Sequence, residues 1–210
     1  DVLVAFDMGP IGQLLEPTGS LSFEEAYDIF KEEVIAAKGA DIIVIETMTD
    51  LMEIKAAVLA AKENSDVPVL ATMTFEKNKR TFTGCVVSSM CLTLQGLGVD
   101  ALGVNCSLGP NDLIPIVEEI SKWTTMPIVV KANAGLPDPV TNTYNVSAKE
   151  FADTCRKMLN FGAKVIGGCC GTTPEYIREV KAMLEEAWNN GEFKQQKVEG
   201  KLAIASALKT

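Results

Sequence analysis

The sequence predicts an α/β fold of the (β/α)8 TIM-type barrel class, and three observations carry that expectation. Short, nearly continuous apolar runs alternate with segments of helical period along the chain, the pattern of parallel strands covered on both faces. No hairpin signal joins two of these runs, so the strands are expected to be parallel and linked through helices. The chemically unusual residues Asp7, Glu46, Thr74, Cys106, Asn133 and Cys169-Cys170 all fall at the carboxyl ends of successive runs. In a barrel those ends converge on one mouth. In a doubly wound open sheet they would spread along a line and share only a switch point. The barrel is therefore the architecture expected.

The elements follow in order. Val2 to Phe6 is the first strand, ending at Asp7-Met8-Gly9-Pro10. Ser22-Phe23-Glu24-Glu25 forms a capping box, and Ala26, Ile29, Phe30 and Val34 continue at helical spacing up to Gly39. Ile42 to Ile45 is the next strand, ending at Glu46-Thr47, and Asp50-Leu51-Met52-Glu53 opens a helix reaching about Asn64. A strand from Val69 to Phe75 leads through the charged loop Glu76 to Arg80 into a helix near Ser89 to Leu97. Ala101 to Asn105 is a strand followed by a helix from about Asn111 to Trp123. Ile128 to Asn133 is a strand with a longer loop after it, and Ser147-Ala148-Lys149-Glu150 caps a helix to about Asn160. Val165 to Gly168 is the last strand. Thr173 then serves as N-cap and Pro174 as first helical residue of a helix ending near Trp188.

These are about six of the eight β-α units of a full barrel. The chain opens without methionine on what reads as a buried strand, so it is expected to be a fragment lacking the first two units. Residues 1–188 are expected to form the barrel domain. Residues 189–210 are expected to be a linker toward a following domain, polar from Asn189 to Lys197 and apolar again at Leu202-Ala203-Ile204-Ala205.

Composition narrows the function. A chain of 210 residues with 47% hydrophobic content supplies one domain with a substantial core. A formal net charge of −9 lacks the basic surface that nucleic-acid binding requires. No apolar run approaches the roughly 20 residues of a membrane span, and no signal peptide opens the chain. Six cysteines, two of them adjacent, make a poor disulfide framework in a domain of this size, so a reducing cytoplasm is expected.

The chemistry centres on thiols, because the chain contains no histidine. Catalytic zinc commonly has three protein ligands and one open position. Cys169 and Cys170 would point opposite ways in a regular strand, but the glycines at 167, 168 and 171 permit a break that turns both toward one metal. Cys106 lies across the Asn133 strand, within reach at a barrel mouth. The competing reading is that of buried structural cysteines, which is expected of Cys85, Cys91 and Cys155. A three-thiolate zinc suits a thiol substrate, whose acidity rises when it takes the fourth position. Glu46 would suit the ammonium of an amino-acid substrate, or pair with a neighbouring lysine. Asn133 could donate to substrate, fill the open metal position, or cap a turn. Two weaker alternatives are a Schiff base on Lys131 and an anion at the Gly171-Thr172-Thr173 helix start.

Gly-Val-Asn-Cys-Ser-Leu-Gly-Pro (103–110), Asn-Ala-Gly-Leu-Pro (133–137) and Gly-Gly-Cys-Cys-Gly-Thr-Thr-Pro-Glu (167–175) closely resemble the homocysteine S-methyltransferase family. Ile45-Glu46-Thr47 and Met8-Gly9-Pro10 resemble that family's earlier strand ends. Within it, the chain looks most like the homocysteine-binding module of the cobalamin-dependent methionine synthases. The segment 202–210 is similar to the lead into their folate-binding barrel. The resemblance implies zinc on Cys106, Cys169 and Cys170, with the homocysteine thiolate as fourth ligand and Glu46 at its amino group. It implies methylcobalamin on another module as methyl donor, recharged from methyltetrahydrofolate. A betaine or S-methylmethionine donor is the alternative within the family, and a non-catalytic zinc-thiolate domain the alternative outside it. Two strand ends of the family, Asp-Gly-Ala-Met-Gly and Glu-Thr-Asn-Thr, are absent, and Ala132 stands where the family often has proline.

Overall fold

Six parallel strands hydrogen-bond in unbroken sequence order in the computed structural model, which describes residues 2–193 together with Val198, Ala205 and Ser206. They are β1 (Ala5–Met8), β2 (Ile42–Met48), β3 (Val69–Met73), β4 (Ala101–Asn105), β5 (Ile128–Ala132) and β6 (Ala163–Gly168). The intervening helices are α1 (Phe23–Ala36), α2 (Leu51–Asn64), α3 (Val87–Gly96), α4 (Pro110–Ser121), α5 (Ala148–Arg156) and, after β6, α6 (Pro174–Asn189). Right-handed crossovers that always step in one direction place every helix on the same face of the sheet. A doubly wound sheet would reverse its order midway. The order here never reverses, which is barrel winding.

Contacts that skip strands show the curl. Asn105 at the end of β4 hydrogen-bonds Thr47 of β2, and Lys131 of β5 pairs with Glu46 of β2. Neither contact is possible across a flat sheet. All five residues of β4 are buried, and nearly all of β3 and β5, because helices cover one face and the curl encloses the other. That two-sided burial is why these strands read as continuous apolar runs. Among the described residues β1 and β6 are the open edges.

The helix starts follow the local chemistry. Ser22 and Glu25 form both halves of the capping box of α1. Asp50 accepts from the N–H groups of Met52 and Glu53, and Ser147 from that of Glu150. Thr173 is the N-cap of α6 with Pro174 following it, although its hydroxyl makes no cap hydrogen bond.

Some boundaries differ from expectation. The first strand runs Ala5–Met8 rather than from Val2, and Val2, Leu3 and Val4 are 92%, 70% and 63% exposed. The cause is register. An edge strand has one neighbour, and Ala5 pairs with Ile42, the first residue of β2, so the ladder starts there. β2 extends three residues past Ile45, through a bulge. α5 stops at Arg156 and gives way to a 3-10 turn, Lys157–Phe161. The stretch expected to be a linker lies outside the described residues after Phe193, apart from Val198, Ala205 and Ser206. Among the described residues no helix is long and apolar enough to cross a membrane.

Candidate active site

Two strands, β4 and β6, which flank β5 in the sheet, deliver the sulfurs. Cys106 follows the last residue of β4, and Cys169-Cys170 follow β6. The parallel ladder carries one step beyond the strands: Cys106 N–H donates to Lys131 O (3.0 Å), Cys169 N–H to Ala132 O (2.8 Å), and Ala134 N–H to Cys170 O (2.9 Å). The chain then turns sharply on both sides. Cys106 and Ser107 both take left-handed φ, 60° and 59°, a conformation that costs a non-glycine residue about 1–3 kcal/mol. After β6, Thr172 closes a turn on Cys169 O through both its N–H (3.2 Å) and its hydroxyl (2.7 Å). Gly171 supplies the positive φ of 78°, and a side chain there would collide with the Tyr144 ring at 2.3 Å.

The turns bring Cys106, Cys169 and Cys170 together, with all three Sγ atoms within 4.8 Å of one another. Cys106 to Cys170 is 3.7 Å and Cys169 to Cys170 is 4.0 Å. Metal–thiolate bonds of about 2.3 Å in a tetrahedron set sulfur–sulfur edges of about 3.8 Å. The measured spacings fit that figure, so the cluster can hold a tetrahedral metal with one corner left for another ligand. Cys106 and Cys169 are half-buried and Cys170 is exposed, so that corner can be reached from solvent.

The metal-free electrostatics describe one negative charge shared by three sulfurs. Hydrogen bonding from Cys169 is the main influence that brings the Cys106 thiol down from 9.0 to about 5. Its proton donation to Cys106 pushes Cys169 upward, with burial adding to it. Cys170 is raised by burial first and by Cys106 second. Cys85 and Cys155, by contrast, are buried and pushed up to about 12, chiefly by desolvation, and Cys91 is also raised by burial. They are core residues, as expected.

Asn133 sits between the two cysteine-bearing turns and is buried. Its side-chain oxygen accepts from Cys170 N–H (3.0 Å), and its amide supports the Cys106 thiolate. Glu46 lies on the β2 bulge beside Thr47, whose φ of 64° is also left-handed. Its carboxylate pairs with Lys131 Nζ. An ammonium in an ion pair has no free lone pair for a Schiff base. Asp7, at the end of β1, completes the group: burial raises its carboxyl, the Glu46 charge raises it further, and Lys131 lowers it.

Four residues here had no role assigned from sequence. Asn105 is fully buried and ties the strands together. Its oxygen accepts from Thr47 N–H (2.8 Å) and the Thr72 hydroxyl (2.7 Å), and its amide donates to the Thr47 hydroxyl (2.8 Å) and faces Cys169 Sγ at 4.0 Å. The signal was a polar residue closing a wholly apolar strand. Thr72 carries no such mark. Glu53, read only as a helix-start residue, is buried and accepts from Ile11 N–H (2.8 Å), holding the loop after β1. Tyr144 rests on Gly171 with its hydroxyl toward Cys170, and burial followed by the nearby sulfur charges raises its pKa, making the phenol a weaker acid.

Methionine synthases of Mycobacterium leprae and Mycobacterium tuberculosis are 33% and 34% identical to the chain over 185 residues, covering 83% of it. The chain spans 15% of the length of each of them. The homocysteine methyltransferase of Escherichia coli in its apo form superposes with a TM-score of 0.72 at 26% identity, over 87% of this chain and 62% of that one. Its metallated form gives 0.66 at 25% identity, over 86% and 61%. The family model of homocysteine S-methyltransferase matches residues 1–184, and the chain belongs to that family.

Proposed function

We propose that this chain binds zinc through Cys106, Cys169 and Cys170 and presents homocysteine for methylation at sulfur, giving methionine. The observation that carries the reading is three sulfurs within 4.8 Å of one another, with one corner reachable from solvent, at the same end of the sheet as a largely buried carboxylate. When bound, zinc would acidify a thiol in the fourth position, so that a thiolate nucleophile exists at neutral pH. The metallated form of the Escherichia coli relative supports a metal. Glu46 receives the substrate ammonium. Asn133 borders the open corner and fixes Cys170 through its N–H, while the left-handed turn at Cys106-Ser107 aims the third sulfur. Asn105 holds the β2 bulge and thereby Glu46.

The methyl donor in this reading is methylcobalamin carried by another module, with a folate-binding module to recharge it. The resemblance to methionine synthases and the small share of their length that the chain spans support that reading. Residues 1–188 act as the homocysteine-binding barrel, whose open edges β1 and β6 are closed by two further β-α units. Three free thiols suit a reducing cytoplasm.

Two outcomes test the site. Glu46→Gln should weaken homocysteine binding by about 1.5–3 kcal/mol, the range for a hydrogen bond to a charged group, with zinc retained. Calorimetry showing unchanged affinity would remove Glu46 from the site. The second test is pH. Cys106 is already ionised above about 5, whereas Cys169 and Cys170 keep their protons past neutrality. Zinc must therefore displace about two protons near pH 7, and its affinity should rise about a hundredfold per pH unit there. Chelator competition across pH 6 to 8 checks the slope, and a flat profile would contradict three-thiolate binding.

A further inference from the structure

We propose that Lys131 receives the α-carboxylate of the substrate, so that Glu46 and Lys131 together form a clamp for the zwitterionic head of an α-amino acid. The inference rests on the proposed function and adds a specificity residue to it.

The placement comes first. Lys131 pairs in register with Asn105 on one side and Gly167 on the other. Those residues lie one and two positions before the metal-site cysteines Cys106 and Cys169, so the Lys131 side chain leaves the sheet just beneath the sulfur cluster. Its path is prepared by Gly167. A Cβ built there would lie 3.4 Å from Lys131 Cγ and 4.0 Å from Cε, so the lysine stem runs along the strand where a larger side chain would stand. From there it crosses the mouth to Glu46 on β2.

The charges come second. The side chains of Glu46 and Lys131 are 14% and 26% exposed, so the pair is sheltered yet open to a ligand. An α-amino acid carries its ammonium and carboxylate on one carbon, side by side, which is how this pair presents the opposite charges. A ligand that inserts its head between them gives each protein charge a new partner and leaves none unpaired, which matters because an unpaired half-buried charge is costly. Asp7 also feels both charges, so two carboxylates face one ammonium, and the group retains a surplus negative charge that favours an incoming cation. An ammonium bound to Glu46 would draw that carboxylate away from Lys131, and the carboxylate of the same ligand would take the place it leaves. The thiol of such a ligand then points up at the cysteines.

The test is calorimetric titration of the intact, zinc-loaded protein with three thiols. These are homocysteine, 3-aminopropane-1-thiol, which lacks the carboxylate, and 4-mercaptobutanoic acid, which lacks the ammonium. The wild type should bind homocysteine at least about tenfold more tightly than either truncated thiol, as expected for loss of one charged hydrogen bond. Lys131→Met should lower the affinity for homocysteine and for 4-mercaptobutanoic acid by about tenfold or more, and leave 3-aminopropane-1-thiol within about twofold. Lys131→Arg should recover most of the loss. Weakening of homocysteine and 3-aminopropane-1-thiol with 4-mercaptobutanoic acid unchanged would mean that Lys131 only props Glu46, equal weakening of all three would mean that the change disturbs the metal site, and unchanged homocysteine binding would mean no contact at all; each of these overturns the inference. A wild type that binds homocysteine and 3-aminopropane-1-thiol equally overturns it without any variant. A zinc-loaded wild type that binds none of the three overturns the proposed function as well.

Discussion

Changing Cys106, Cys169 or Cys170 to serine is expected to remove most of the zinc, each by itself. A serine hydroxyl stays protonated at neutral pH and is a hard, weak donor, so each change removes one of three ligand atoms outright. The loss should exceed the roughly 10–100-fold that follows removal of an outer-shell partner. Cys85→Ser, Cys91→Ser and Cys155→Ser should keep the metal, because those side chains are buried in the core away from the cluster. Their cost is of another kind, about 1–3 kcal/mol of stability for a hydroxyl placed in an apolar pocket. Metal content and chemical denaturation, measured on the six variants side by side, separate the two effects. Equal metal loss in all six would show that unfolding is responsible and would leave the ligand assignment without support.

Asn105→Ala is expected to cost about 2–4 kcal/mol in stability. The side chain satisfies the Thr47 N–H and the Thr72 hydroxyl, and alanine leaves both without that partner inside the curl of the sheet. It also releases the hydroxyl of Thr47, whose left-handed conformation shapes the β2 bulge. Glu46 precedes Thr47, so homocysteine affinity should fall together with stability. Denaturant unfolding combined with calorimetry checks both. A stability change within about 0.5 kcal/mol, the size of an ordinary surface substitution, would contradict the network.

How far the sequence could be read depends on the range of the interactions involved. The alternation of strand and helix was legible because two-sided burial writes continuous apolar runs, and because caps such as Ser22-Glu25 and Asp50 act within a few residues. The cysteine cluster was legible because an unusual residue pair and a third thiol fall at strand ends of one sheet. The pairing of Glu46 with Lys131 was present only as one of two options, since these residues are 85 positions apart and meet only through the curl. Asn105 was hidden for the same reason: its partners lie on β2 and β3, 58 and 33 residues away. The start of β1 was misplaced because Val2, Leu3 and Val4 are apolar enough for a strand, whereas the register with β2 decides where pairing begins. Tyr144 reaches Cys170 from a loop whose path no periodicity encodes.

The most direct measurement of the central claim is zinc K-edge X-ray absorption on the intact, zinc-loaded protein before and after saturation with homocysteine. Three protein thiolates with one corner open predict a first shell of three sulfurs at about 2.3 Å plus one lighter atom. Homocysteine should replace that lighter atom, raising the shell to four sulfurs. A shell that stays at three sulfurs at saturating homocysteine, or that shows fewer than three before it is added, would contradict the account.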